Sequence, residues 1–201
     1  ITALDDWPVL GRPALPIRTI AVIDTETDGL DNRNDNIIEI AVALIEVDAG
    51  GRIVRIVDKG TARQDPGRMV PPKITQITGL DNQILQSCKI RVEALTAFIT
   101  RADAVLAHNA GFDRVFCERF LPGITHLPWI CSMRDVPWLD MGYDGAKLGH
   151  LLMQNGLFAP TAHNALDDVE ALINLLACRL ANGKTVMAEA LANAQVPSVR
   201  I

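Results

Sequence analysis

Aromatic residues are scarce, at 4% of the 201-residue chain, with Tyr143 the single tyrosine. Few flat side chains are therefore on hand for stacking bases. No apolar run approaches the ~20 residues that a membrane helix needs, so no membrane partner is expected. The 19 Lys and Arg are scattered and the net charge is −5, which argues against a broad basic face coating nucleic acid. The four cysteines, Cys88, Cys117, Cys131 and Cys178, form no C-x-x-C pair, which excludes a zinc ribbon and a dithiol redox motif. They are expected to be free thiols in a reducing, cytoplasmic setting. The N-terminus lacks the charged-then-apolar pattern of a signal peptide. It begins with Ile1 instead of Met, so residues are expected upstream.

What is present is ordinary globular composition, with 49% hydrophobic and 21% charged residues. The length suits one domain. We expect an extended arm over 1–16, a main domain over 17–182, and a C-terminal helix and tail packed on it over 183–201. Thr19–Asp24, Asn36–Val47 and Arg52–Lys59 read as strands joined by short turns, an antiparallel meander. Helices are expected over Pro71–Gly79, Val92–Arg101, Ala110–Leu121, Lys147–Gln154, Ala165–Ala181 and Thr185–Ala194. Short strands are expected at Ala104–Ala107 and Trp129–Cys131. That order predicts an α/β fold, a mixed five-stranded sheet flanked by helices.

Several acids occupy positions where acids are costly. Alternation on a strand puts Asp24 and Glu26 on the same face as Ile20 and Val22. A solvated strand end would explain them equally well. In the helix over Ala110–Leu121, Asp113 falls within the stripe of Phe112, Phe116, Cys117 and Phe120. The helix dipole alone would also favour an acid there. In the helix from Ala165, Asp168 falls on the side of Ala165, Val169, Leu172 and Leu176, whereas Asp167 shares the polar side with Glu170 and Asn174. Three distant segments thus bring hard oxygen donors to the margin of a core, which is what Mg²⁺ or Mn²⁺ requires. His163, five residues ahead of Asp168, is either an exposed flank or a general base poised near neutral pH. His108, at the end of a strand, reads first as a loop hydrogen-bonding residue. His126 and His150 read as structural.

These segments together resemble the DEDD superfamily of 3′–5′ exonucleases. Asp24-Thr25-Glu26-Thr27-Asp28-Gly29-Leu30 looks like its first motif, His108-Asn109-Ala110-Gly111-Phe112-Asp113 like its second, and His163-Asn164-Ala165-Leu166-Asp167-Asp168 like its third. The His-to-Asp spacing is that of the DEDDh branch. The DEDDy branch has Tyr where this chain has Asn164. Pro71–Leu80, with Ile77-Thr78-Gly79-Leu80, is also similar to the family's intermotif segment. The resemblance spans about residues 18–180 and implies a ribonuclease H-like fold.

The resemblance further implies that Asp24, Glu26, Asp113 and Asp168 are the ligands of two divalent cations, Mg²⁺ or Mn²⁺. His163 would deprotonate the attacking water, releasing nucleoside 5′-monophosphates from a 3′ end. Two ions ~3.5–4 Å apart can hold the attacking and leaving oxygens of an in-line displacement. Bound cations would also bring the net charge of −5 close to neutral, easing approach of an anionic strand. Thr25, Thr27, Gly29, Leu30, Ile77, Gly79, Leu80, His108, Asn109 and Phe112 are the candidate substrate contacts. A turn and core packing are the competing readings for Gly29, Leu30 and Phe112. Trp129 and Trp138 are candidates for base stacking or for core. Without a basic run, the expected partner is a single-stranded DNA or RNA 3′ end, DNA slightly favoured. No polymerase-tethering tail is evident after the third motif, and protein partners are unassigned. The alternative is a catalytically weak module of the same fold that binds nucleic-acid ends or a protein. All five catalytic positions are filled, which favours the enzyme.

Overall fold

The computed structural model describes residues 12–158 and 164–194. Strands β1 (Arg18–Thr27), β2 (Ile37–Val47) and β3 (Ile53–Arg63) form the meander, followed by helices α1 (Pro72–Thr78), α2 (Asn82–Leu85) and α3 (Val92–Ile99). Next come β4 (Ala104–Ala107), α4 (Ala110–Phe120), β5 (Trp129–Cys131), α5 (Leu148–Gln154), α6 (Ala165–Ala177) and α7 (Val186–Asn193). The five-stranded sheet has the order β3-β2-β1-β4-β5. β1 pairs antiparallel with β2 and parallel with β4, so it is central. The sheet is mixed, as its sequence pattern predicts, because the loop over 28–36 returns β1 alongside itself as β2, whereas α4 carries the chain across from β4 to β5.

Both faces of the sheet are covered, so β2 reads as a near-continuous apolar run. Ile20, Val22, Ala41 and Ala43 face α6 and α7, packing with Val169, Leu172, Leu176 and Met187. Ala21, Ile23, Val42 and Leu44 face the other way, packing with Ile99, Phe116 and Cys117. α1 ends at Gly79, whose φ of 73° and N–H to the Thr75 carbonyl close the helix.

Several expected boundaries need correction: β1 runs on past Asp24 to Thr27, and β3 past Lys59 to Arg63. The last long helix ends at Ala177, not Ala181. Cys178 turns extended and its carbonyl accepts from Val186 N–H, while Arg179 bridges to Thr185. The Asn182-Gly183 turn, with Gly183 at φ 83°, outweighs the helical preference of the residues before it. α2 was absent from the sequence reading. It is a single turn made by its cap, where the Asp81 side chain accepts from Ile84 N–H at 2.8 Å. Of the expected arm, residues 1–11 lie outside the described residues. Ala14 is tied to the β2–β3 turn, donating to Asp48 Oδ2 at 3.2 Å and accepting from Ala49 N–H.

Leu175 is fully buried where α6 meets the sheet. Leu175→Ala should lower stability by roughly 2–5 kcal/mol, read as a lower urea midpoint at unchanged slope.

Candidate active site

β1 delivers three functional groups by simple alternation. Asp24 and Glu26 point to the α6 side, opposite Ala41 and Glu39 of β2. Thr25, between them, points to the α4 side, where its Oγ1 donates to Asp113 Oδ1 at 2.8 Å. The ladder shifts register between Glu26 and Thr27, a bulge that ends regular pairing beside the site.

α4 and α6 bring the other acids. Asn109 sits left-handed at φ 62° before α4, a conformation Asn tolerates better than most residues. It starts the helix so that Asp113, 3% exposed, lands in its first turn against β1. Asn164 caps α6, its side chain accepting from Leu166 N–H and Asp167 N–H. One carboxylate oxygen from each of Asp24, Glu26 and Asp168 lies within 4.8 Å of the others. Asp113 joins this trio through Thr25 and through its charge, which acts on Asp24.

The electrostatics are those of acids crowded together. Burial, and then the charges of Asp113, Glu26, Asp168 and Glu39, push the Asp24 carboxyl well above the usual carboxylate range. Burial and the charges of Asp168, Glu39 and Asp113 push Glu26 up to about 8. Burial lifts Asp113 to about 7 against the opposing hydrogen bond from Thr25. Among the described residues, the charges that raise Asp24 and Glu26 are those of neighbouring carboxylates. Such a set of hard oxygen donors fits a divalent cation, Mg²⁺ or Mn²⁺, and Asp24, Glu26, Asp113 and Asp168 could hold it.

The flanking loop is rigidly built. Asp28 takes Arg68 on both oxygens, at 2.6 and 2.7 Å, and accepts from Asn36 N–H at 2.6 Å. Burial works against ionisation of Asp28, but these bonds prevail and hold its pKa below the ordinary value. Arg68 also reaches Asp35 at 2.7 Å, and Arg119 donates to the carbonyls of Asn32 and Asp35. A Cβ on Gly29 would meet Asp35 Oδ2 at 2.1 Å, so a side chain there would push the Asp35 carboxylate away from Arg68. Leu30, at the tip, is 82% exposed. Thr27 is buried, its hydroxyl donating to the Gly29 carbonyl at 2.5 Å.

The remaining candidates separate. Ile77 is exposed, whereas Leu80 is buried with Ile38, Val70 and Leu85. Phe112 is half-buried and packs on Phe116 at 4.9 Å between ring centroids. His108 donates from Nε2 to the Ala146 carbonyl at 2.7 Å, leaving Nδ1 to accept from Ser132 Oγ at 2.9 Å. Burial lowers its pKa, although the Ala146 bond opposes this. Trp138 is buried, bonded through Nε1 to the Ser132 carbonyl and set edge-on to Tyr143, so it is core. Trp129 packs on the core beneath α4. His163 lies outside the described residues.

The sequence reading missed Glu39 and Arg68. Glu39 is a lone acid in the apolar run Ile37–Ala41, and it stands directly opposite Glu26. That isolation was a usable signal. Arg68 is 40 residues from Asp28, and no pattern links them.

A carboxyl whose pKa is higher folded than unfolded contributes stability that is fully present below the unfolded value. That stability is lost as pH rises through the folded one. For Glu26 the window runs from 4.5 to about 8. The depressed pKa values of Asp28, Glu46 and Asp48 act in the opposite sense, below the ordinary 3.8 to 4.5. His108 also opposes, below 6.5. In chelator, Glu26→Gln should therefore gain thermal stability over the parent chain as pH rises from about 5 to about 8.5. A difference that stays flat across that range contradicts this electrostatic picture.

A family model described as exonuclease, of the RNase T type, matches residues 21–176. The chain is 28% identical over 187 residues to the DNA polymerase III subunit epsilon of Treponema pallidum, covering 88% of this chain and 83% of that one. It is 30% identical over 160 residues to the PolC-type DNA polymerase III of Thermotoga maritima, covering 75% of this chain. It spans only 11% of that polymerase's length. The fold is similar to that of Escherichia coli exonuclease I, solved with zinc and single-stranded DNA. The TM-score is 0.62 and the identity 19%, over 80% of this chain and 40% of that one. With the acid cluster at the end of β1 and the family model spanning the sheet and α6, the chain belongs to the exonuclease family, of the DEDDh 3′–5′ type.

Proposed function

We propose that the chain hydrolyses the terminal phosphodiester of single-stranded nucleic-acid 3′ ends, releasing nucleoside 5′-monophosphates, with DNA slightly preferred over RNA. The observation that carries this reading is the gathering of Asp24, Glu26 and Asp168 oxygens within 4.8 Å, with Asp113 joined through Thr25. These four residues would hold two divalent cations, Mg²⁺ or Mn²⁺. When bound, such cations supply a water of lowered pKa and neutralise charge on the leaving oxygen.

The chain's own groups do the rest. His163 takes the proton of the attacking water as an imidazole near neutral pH. Thr25 fixes Asp113 by its hydrogen bond. The exposed Leu30 stands on a loop braced by Asp28, Arg68 and Asp35, where it can press against a terminal base. Likeness to an exonuclease solved with single-stranded DNA and to a polymerase epsilon subunit supports DNA as the polymer and work beside a polymerase. The four free thiols suit a reducing, cytoplasmic compartment.

Incubation with 5′-labelled single-stranded DNA and RNA should give metal-dependent laddering from the 3′ end. Asp168→Ala should abolish it, and His163→Ala should slow it by about 10²–10⁴-fold. Intact substrate with Mg²⁺ and Mn²⁺ alike would refute the enzyme and leave an end-binding module. Leu30→Ala should raise KM severalfold with kcat little changed, measured on the same oligonucleotides.

A further inference from the structure

Glu39 is a buried acid that the proposed chemistry does not use. It is 2% exposed and lies on β2 directly across the ladder from Glu26. Facing like charges destabilise a strand pair, and an apolar residue there would be cheaper to bury. Both Glu39 oxygens have other partners. Oε1 takes Arg63 Nε of β3 at 2.7 Å. Oε2 accepts from Ala165 N–H, at the first position of α6, at 3.3 Å.

That last contact completes a set. The first backbone donors of a helix have no partner within it. The Asn164 side chain serves Leu166 and Asp167, and the Asn164 carbonyl serves Asp168. Ala165 is fully buried, out of reach of water, and Glu39 serves it. The same carboxylate therefore links β2, β3 and the start of the helix that carries Asp168.

We propose that Glu39 is a positioning residue for the metal centre: steadied by Arg63 on one oxygen, it pins the start of α6 with the other and so sets where Asp168 stands against Asp24 and Glu26. This rests on the reading of the four acids as cation ligands. Length and an acceptor oxygen matter for this role, and charge does not.

Two substitutions separate these properties. Glu39→Asp keeps the charge but is one methylene short of Ala165. Glu39→Gln keeps the reach and an acceptor oxygen but loses the charge. Its carbonyl is expected to turn to buried Ala165, because the Arg63 side chain is 38% exposed and can turn to water. Mn²⁺ affinity is measured by calorimetry, kcat and KM on single-stranded DNA, and folding by thermal melting in chelator. Glu39→Asp should bind Mn²⁺ about 10–100-fold more weakly and lose kcat, with KM for DNA unchanged. Glu39→Gln should bind Mn²⁺ and turn over DNA much as the parent chain does. Parent-like Mn²⁺ binding by Glu39→Asp overturns the proposal, as does Glu39→Gln binding as weakly as Glu39→Asp. If the parent chain itself neither binds Mn²⁺ nor cleaves DNA, the exonuclease reading fails, and the proposal with it.

Discussion

Asp24, Glu26 and Asp113 stand where burial makes ionisation costly, and neighbouring acids add to that cost at Asp24 and Glu26. Segments bearing such groups separate unless stronger contacts hold them. The central strand provides one hold: β1 is bonded to β2 along its length and to β4 on the other side. α6 provides another through Val169, Leu172, Leu175 and Leu176, all buried against the sheet. α4 is held by Phe116 and Cys117. Apolar packing of two helices on opposite faces thus holds together charges that repel.

Basic residues are not lacking nearby. Arg68 takes both oxygens of Asp28, two residues after Glu26, and holds that carboxyl ionised. Arg63 takes Glu39, directly opposite Glu26. The fold therefore pairs acids with guanidinium groups immediately outside the cluster, while among the described residues the charges that raise Asp24 and Glu26 are those of other carboxylates. A cluster left in that state, beside acids that are neutralised, has the chemistry of a cation site. It sacrifices stability in the metal-free protein, a trade that functional sites commonly show.

Much of this was legible in the sequence, because its signals are local. Strand alternation placed Asp24 and Glu26 on one face, and helical periodicity placed Asp113 and Asp168 against the core. The limits of β4 and β5 were read to the residue, since short apolar runs between polar turns leave little freedom. What escaped depends on distant partners. The end of α6 is decided by the bridge of Arg179 to Thr185, which competes with a good helical sequence. Leu80 looked available to substrate, but Ile38 and Val70 claim it for the core. Glu39 gained meaning only once the register set it opposite Glu26 and Ala165 came within reach.

The order Asp-Thr-Glu follows from strand geometry. Side chains alternate with a period of two, so the outer acids share the α6 face and the middle residue must face α4. A hydroxyl there can donate to Asp113 without adding a further negative charge, and Thr25 does so at 2.8 Å. An acid in its place would repel Asp113, and an apolar residue would leave the Asp113 oxygen, in a side chain only 3% exposed, without that donor. The threonine thus ties the acid of α4 to the strand that carries Asp24 and Glu26. It makes the site a joint property of β1, α4 and α6, and of no one element alone.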